Sequence, residues 1–300
     1  MTSKLSLALA GTLFAGALSA QQADTTQIER GMTHYSIKSL ATDRPDITES
    51  AQTAHWGWFQ IETGGAFTSI LDINSGVGGW SQGKVYNEET VLRYGVTPKF
   101  ELRAVINLQH EGYEPLGAGQ PYSFTGIEFP TLGFKYNLKE ENATWPQITW
   151  LSHTSFGILN VGDYLVPEAL KTVLHEQRLM LEKDLPGPFS LAANFGIDGV
   201  LRGQGGGNGA MQSVALGIDL SNKWGFYIEE FSRGTMSVNY THFDYYVDGG
   251  FTYLYNANTQ WDVFAGMGLG AISPFSTGEQ QWFVGLGYSH QMFTGLRLFQ

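Results

Sequence analysis

Among the side chains that commonly serve in hydrolytic or metal sites, this 300-residue chain has 7 histidines and no cysteine. The lack of cysteine excludes thiolate metal sites, disulfides and a cysteine nucleophile. The histidine spacing matches no HExxH zinc helix, and no Gly-x-Ser-x-Gly elbow occurs. His153 and Ser155 stand two residues apart, so they would share one face of a strand and could form a lipase-like pair. That spacing arises easily by chance, so the sequence predicts no enzyme activity, no metal and no cofactor.

Charged and amide residues recur instead at every second position. Between Lys99 and Gln109 they alternate with Phe, Leu, Ala and Ile, which gives a strand one apolar and one polar face. Such a strand requires apolar solvent on one side and a polar environment on the other. The pattern recurs near 89–96, 131–138, 189–198, 213–220, 260–270 and 282–289, and less regularly near 57–71, 145–156, 173–184, 224–231 and 247–255.

The connections between these segments alternate between short and long. Short turns are expected near Thr97-Pro98 and at 139–144, 184–188, 221–223 and 256–259, and longer stretches lie at 72–88, 110–125, 157–172, 199–210, 232–246 and 271–280. A soluble sandwich has no reason to keep this rhythm, whereas outer-membrane proteins have short periplasmic turns and longer extracellular loops. The predicted fold is all-β: an antiparallel transmembrane β-barrel of about twelve strands.

The N-terminus predicts export. Residues 1–20 have a lysine, an apolar stretch and a small-residue cleavage site, as in a secretory signal peptide. Residues 21–56 would then form an N-terminal leader that could enter the barrel mouth, and residues 57–300 the barrel. The expected location is the cell outer membrane, with its lipids and the barrel-assembly machinery as partners. The net charge of −11 argues against binding to nucleic acid.

Two sets of charged residues are candidate functional sites. The leader residues Asp43, Arg44, Pro45 and Asp46 could form a gate that pairs with charges on the barrel wall, or only a solvated turn. The second set would point into the lumen, because charges facing lipid are costly. It could line a selective pore, or only fill and rigidify a narrow barrel. Its members are Glu62, Glu89, Arg93, Glu101, Arg103, Lys135, Asp198, Asp219 and Asp262.

Three stretches carry a family resemblance. They are Ala41–Ser50 with the following Trp58–Gly64, the hairpin Leu92–Arg103, and Gly249–Tyr253 with Gln260–Asp262. Together they resemble the transporter-like outer-membrane family labelled MetA-pathway of phenol degradation, over roughly residues 40–290. The resemblance implies a barrel of about twelve strands that passes hydrophobic or aromatic compounds.

The function predicted from the sequence is a porin-like outer-membrane channel. It would pass small hydrophobic or aromatic compounds by passive or facilitated diffusion. The alternative is a structural or interaction barrel with a closed lumen, and an outer-membrane enzyme comes third. A continuous lumen would favour transport, whereas a lumen blocked by paired charges and residues 40–56 would favour the structural role.

Overall fold

The structure of the protein, a computed structural model, describes residues 40–45, 47–72, 81–115, 120–203, 208–236, 241–270 and 280–295. The predicted signal peptide, the first part of the leader and Asp46 lie outside these ranges. None of the described helices reaches the length and apolarity needed to cross a bilayer.

Strands account for nearly all the regular structure. They are β1 (Trp58–Asp72), β2 (Ser81–Thr97), β3 (Phe100–Pro115), β4 (Tyr122–Ile127), β5 (Thr131–Lys139), β6 (Gln147–Phe156), β7 (Val161–Gly162), β8 (Val173–Asp184), β9 (Phe189–Arg202), β10 (Asn208–Asp219), β11 (Trp224–Met236), β12 (Thr241–Asn256), β13 (Thr259–Gly268) and β14 (Gln280–Phe293). A 3₁₀ turn (Gly157–Leu159) and a short helix α1 (Pro167–Leu170) lie between β6 and β8.

Twelve of these strands close into an antiparallel barrel. Each pairs with its neighbours in chain order, β1 pairs with both β2 and β14, and β3 pairs with β5 at its lower half. The predicted all-β barrel of about twelve strands is therefore confirmed. Closure gives each of the twelve strands a paired neighbour on both sides, as a strand fold in lipid requires.

The fourth wall strand is interrupted. Strand β4 pairs with the upper half of β3, and β5 continues the wall below it after a break at residues 128–130. The two-residue β7 pairs with β4 on its other side. Sequence patterning assigned β4 to a loop at 110–125, and it assigned parts of β10 and β12 to the stretches 199–210 and 232–246. These strand ends extend the wall beyond the clearest alternation.

Alternate residues of each strand face opposite environments. The outward faces expose large apolar side chains, among them Leu132, Ile197 and Leu286 at 57–60% exposure. Aromatic pairs lie towards the end with short turns (Trp224–Tyr253, Trp261–Tyr288), and others lie nearer the opposite end (Phe67–Tyr86, Phe67–Trp282). An apolar band between aromatic girdles is the lipid-facing surface of an outer-membrane barrel. The protein is accordingly located in the outer membrane, with its short turns at the periplasmic end.

The interior is polar and is filled by the chain that precedes β1. Described residues 40–45 and 47–57, hereafter the lumen segment, bond to inward side chains on opposite sides of the barrel, from Arg93 on β2 to Glu229 on β11. The apolar core is correspondingly small, with Ala51, Leu151 and Met180 forming its fully buried cluster. The lumen segment therefore takes the place of a hydrophobic core.

Candidate functional site

Arg93 is the centre of the interior charge cluster. Its guanidinium is fully buried and forms a bidentate ion pair with Glu101, to which Nε donates at 2.8 Å and Nη2 at 2.9 Å. Nη1 donates to Glu62 at 2.6 Å and to the Ala41 carbonyl at 3.0 Å, and Nη2 donates to the Gln52 carbonyl at 3.1 Å. All five N–H groups thus have partners, which is what a buried guanidinium requires.

Asp43 joins the lumen segment to three wall cations. Its carboxylate accepts from Lys135 and Arg103 and lies 3.2 Å from Nη1 of Arg93, while its backbone N–H donates to Glu62 at 2.8 Å. Burial alone would raise the pKa of Asp43, but the three cations together hold that pKa well below its ordinary value. The side chain is therefore an ionised anchor at all ordinary pH values.

Glu49 extends this anchor along the lumen segment. It lies 2.9 Å from Nη2 of Arg103 and accepts from Arg178 at 3.1 Å. Burial opposes its ionisation, but Arg103, Lys135 and Arg178 leave the pKa of Glu49 below its ordinary value. Arg178 also pairs with Glu176, its neighbour on the same face of β8. The segment thus supplies two carboxylates to a wall rich in cations.

Backbone groups of the lumen segment are held by two further wall carboxylates. Glu182 accepts from the Ala51 N–H and the Ser50 hydroxyl, both at 2.8 Å. On β11, Glu229 accepts from the backbone N–H groups of Ile47 at 2.8 Å and Thr48 at 2.6 Å. Sequence reasoning missed both glutamates, although the two-residue periodicity of β8 and β11 places them on the inward face.

Arg44 points the other way from Asp43. Its guanidinium lies 3.8 Å from Asp262 on β13 and 5.9 Å from the centre of the Phe264 ring. It passes directly over Gly64 and Gly287, where a Cβ atom would collide with it. Adjacent residues of the lumen segment therefore face opposite walls, Asp43 the cationic one and Arg44 an acidic one.

The structure brings together most of the predicted site residues, but not all. Glu62, Arg93, Glu101, Arg103 and Lys135 form one cluster with Asp43, and Asp262 lies near Arg44. The remaining three predicted lumen residues, Glu89, Asp198 and Asp219, are more exposed and lie outside that cluster. Pro45 follows a cis peptide bond, and Asp46 lies outside the described residues.

Several buried polar groups on the barrel wall have no hydrogen-bond partner among the described residues. The Asn194 carboxamide is buried and bonds to none of them, and the same holds for the Ser289 hydroxyl, one Asp248 oxygen and both Asp262 oxygens. Buried polar groups normally find a partner in protein or water. The inward faces of β12–β14, which carry three of these four residues, are therefore suited to water or a polar solute.

Comparison with known proteins identifies the chain. Residues 42–291 match the family described as "Putative MetA-pathway of phenol degradation". The chain belongs to this family. The match covers the lumen segment as well as the barrel, so both are features of the family region.

Solved structures share the barrel. The COG4313 outer membrane channel from Pseudomonas putida F1 is 11% identical, with a TM-score of 0.61 over 83% of this chain and 99% of that one. The translocator domain of autotransporter NalP from Neisseria meningitidis is 7% identical, with a TM-score of 0.50 over 79% and 89%. At these identities the likeness shows the fold alone.

A curated protein also matches over a short stretch. Protein VP3 of Rotavirus A is 29% identical over 87 residues, which is 29% of this chain and 8% of that protein. The chain thus spans less than a tenth of that protein, and the match carries no functional argument.

His153 and Ser155 were the candidates for a lipase-like pair. His153 points inward, where its Nε2 accepts from Nε of Arg103 at 3.1 Å, and its Nδ1 lies 3.6 Å from Glu176. Ser155 bonds to Thr131 at 2.6 Å. The two side chains thus have separate partners, and the imidazole is occupied by the charge cluster.

A second histidine lies on the lipid-facing side. His175 Nδ1 is 3.0 Å from the Thr154 hydroxyl, and its Nε2 contacts the Gln177 amide nitrogen. The Trp150 indole donates to the Gln177 oxygen, which fixes the amide orientation. His175 must then accept at Nε2 and donate from Nδ1 to Thr154, the reverse of what a general base would do. This arrangement satisfies polar groups in lipid and does not activate a nucleophile.

Proposed function

We propose that the protein is an outer-membrane channel for small hydrophobic or aromatic compounds, gated by the lumen segment. The observation that carries the proposal is the position of that segment, which crosses the barrel interior and is held by side chains on opposite walls. The diffusion would be passive or facilitated by binding, driven by the concentration gradient of the solute. The predicted gate residues Asp43 and Arg44 are two of its charged contacts and face opposite walls.

The bonding of the lumen segment favours a movable gate. A segment packed against a large apolar core would stay in the lumen permanently. The lumen segment is instead held mainly by ion pairs and by backbone N–H groups that donate to carboxylates. Water can replace such partners when a segment shifts. Arg93 keeps Glu62 and Glu101 as wall partners without the segment, so part of the cluster would remain paired after release.

The side of the barrel formed by β12–β14 supports a solute route. Asp248, Asp262 and Ser289 offer polar atoms there that the described residues leave unsatisfied. We infer that a displaced lumen segment opens a path along this strip, with the cation cluster on the other side. The predicted lumen residues would then set selectivity through their mixed charges.

The solute class rests on relatives. The family carries the description of phenol degradation, and the P. putida relative is described as an outer membrane channel. We extend both to this chain as a proposal, which includes small hydrophobic or aromatic solutes as partners.

Ion conductance and phenol entry test the channel proposal. The full-length protein and a variant lacking residues 21–56 are refolded, and each is measured in planar bilayers and in liposomes loaded with an indicator enzyme for phenol. We expect little current from the full chain, a larger and stable conductance from the variant, and phenol entry faster than in empty liposomes. Heat-modifiable migration in gels verifies that both barrels are folded. Absence of current and of phenol entry in both folded proteins would contradict the proposal.

A closed structural or interaction barrel is the second candidate. It is favoured by the filled lumen, in which Arg93, Lys135 and Glu101 are fully buried and paired. It predicts that removing residues 21–56 destabilises the barrel without producing conductance, so the same experiment separates the two.

A further inference from the structure

The extracellular end of the barrel carries a row of aromatic rings that the gate does not use. Tyr113 of β3 stacks on Tyr122 of β4, with ring centres 5.0 Å apart and planes at 22°. Tyr122 meets Phe124 edge-on at 5.9 Å, and Phe124 stacks on Tyr164 at 6.2 Å and 28°. Tyr122 and Phe124 remain 55% and 38% exposed. The row therefore leaves ring surface free to contact a solute.

The row lies on the inward side of the wall. Tyr113 shares its face of β3 with Arg103 and Glu101, since residues two apart point the same way and the pairing of β3 with β4 is unshifted. Tyr122 is paired directly with Tyr113, and so stands on the same face. A solute entering the barrel from outside passes these rings before it reaches the lumen segment.

A carboxylate beside the rings already binds phenolic hydroxyls. Glu111 accepts from the Tyr164 hydroxyl at 2.6 Å, from the Gln109 amide, and from the Tyr113 hydroxyl at a long 3.3 Å. Burial is the main cause that raises the pKa of the Tyr164 hydroxyl, and the hydrogen bond to Glu111 is the second. The Tyr164 side chain therefore stays protonated and donates to Glu111. A carboxylate has about four acceptor positions, so Glu111 has room for another donor.

We propose that Tyr113, Tyr122, Phe124, Tyr164 and Glu111 form an entry site for planar aromatic solutes that carry a hydrogen-bond donor, of which phenols are the simplest. The ring of the solute stacks on Tyr122 and Phe124, and its hydroxyl donates to Glu111 in place of the long bond from Tyr113. This inference rests on the proposed channel function, to which it adds a solute class and a place of binding.

The same chemistry predicts what the site rejects. An aromatic carboxylate would bring a negative charge to Glu111, with the charge of Glu128 also near the Tyr164 phenol. An unsubstituted aromatic ring would stack but leave the carboxylate without a new donor. The expected order of affinity is therefore phenol above benzene-type rings, and both above benzoate-type anions.

Binding is tested on the full-length protein in detergent by ¹⁹F NMR titration with 4-fluorophenol, fluorobenzene and 4-fluorobenzoate. The variants are Glu111→Gln, Phe124→Leu and Tyr122→Leu, with Tyr86→Leu as the control aromatic on the outward face. We expect Glu111→Gln to weaken 4-fluorophenol about tenfold and fluorobenzene little, because a charge-assisted hydrogen bond is lost. Phe124→Leu and Tyr122→Leu should weaken both neutral ligands roughly threefold or more, and Tyr86→Leu neither.

The outcomes separate this site from the channel proposal. Unchanged 4-fluorophenol affinity in Glu111→Gln and in both ring variants would overturn the entry site, even if phenol still crosses the bilayer. Equal binding of 4-fluorobenzoate and 4-fluorophenol would overturn it as well. Site-dependent phenol binding without any flux would uphold the entry site and contradict the channel. Heat-modifiable migration of each variant verifies that it is folded.

Discussion

One carboxylate of the lumen segment, that of Asp43, contacts three strands of the barrel wall. Asp43 reaches Lys135, Arg103 and Arg93, which lie on three different strands. Removing one partner of a buried pair is far more damaging than the pair itself is stabilising, because the other charge is left uncompensated. The most informative single substitution is therefore in the segment rather than in the wall.

Asp43→Asn removes this charge and keeps the shape. We expect it to destabilise the folded barrel by about 3–5 kcal/mol, because Lys135 and Arg103 lose their shared partner. The temperature at which the barrel unfolds in heat-modifiability gels should fall, and current through the full-length protein should rise. Asp219→Asn is the matched control, since Asp219 is exposed at the end of β10. Equal effects of the two substitutions would contradict the anchoring role.

Only strongly acidic pH should release the lumen segment from the wall. The folded pKa of Asp43 lies well below its ordinary 3.8, and that of Glu49 lies below 4.5. A depressed folded pKa contributes stability that is complete above the ordinary value and lost as the pH falls through the folded value. Recordings of the full-length protein should show it closed at pH 7 and pH 5, with openings appearing progressively below about pH 4. Opening between pH 7 and pH 5 would show that these two carboxylates are not the controlling groups.

Strand β1 contributes the surface on which Arg44 lies. A side chain at Gly64 would collide with the Arg44 guanidinium and would stand 2.6 Å from the Leu286 carbonyl, whereas one at Gly65 would stand 3.7 Å from its nearest neighbour. Gly64→Ala should therefore displace Arg44 and increase conductance, and Gly65→Ala should not. The two adjacent substitutions differ mainly in the face of β1 that they alter. If both leave conductance unchanged in folded protein, contact with Arg44 does not hold the gate closed.

The inward positions on the strands could be predicted from the sequence, but the partners of these side chains could not. Two-residue alternation revealed the inward positions of Arg93, Arg103 and Lys135, because a charge in lipid is costly whatever its partner. Their partners could not be predicted, since Thr48 and Glu229 meet across 181 positions of sequence and only the path of the lumen segment joins them. The short β4 and β7 were missed because six and two residues carry too little periodicity.

At the scale of the whole barrel, the cations that contact the lumen segment lie on one side of the interior, where carboxylates such as Glu101 and Glu176 also lie. Arg93, Arg103, Lys135 and Arg178 lie on β2, β3, β5 and β8, and Glu229, Asp248 and Asp262 lie on β11–β13. The lumen segment joins them, with Asp43 and Glu49 towards the cations and Arg44 towards the acids. Charges arranged in this way create a field across the lumen that orients polar solutes.

Removing the lumen segment should leave a pore whose selectivity for cations or anions can be measured. The inward carboxyl groups that remain in this cluster and on the acidic wall are Glu62, Glu101, Glu176, Glu182, Glu229, Asp248 and Asp262, against the four cations Arg93, Arg103, Lys135 and Arg178. Carboxyl groups are therefore in excess, and the protein lacking residues 21–56 should prefer K⁺ over Cl⁻ in reversal-potential measurements across a KCl gradient. Combining the deletion with Asp248→Asn and Asp262→Asn should reduce that preference, whereas adding Asp219→Asn should reduce it less. A chloride preference would mean that the permeating ions follow the cationic wall, and the solute route would then lie along β2–β8 rather than along β12–β14.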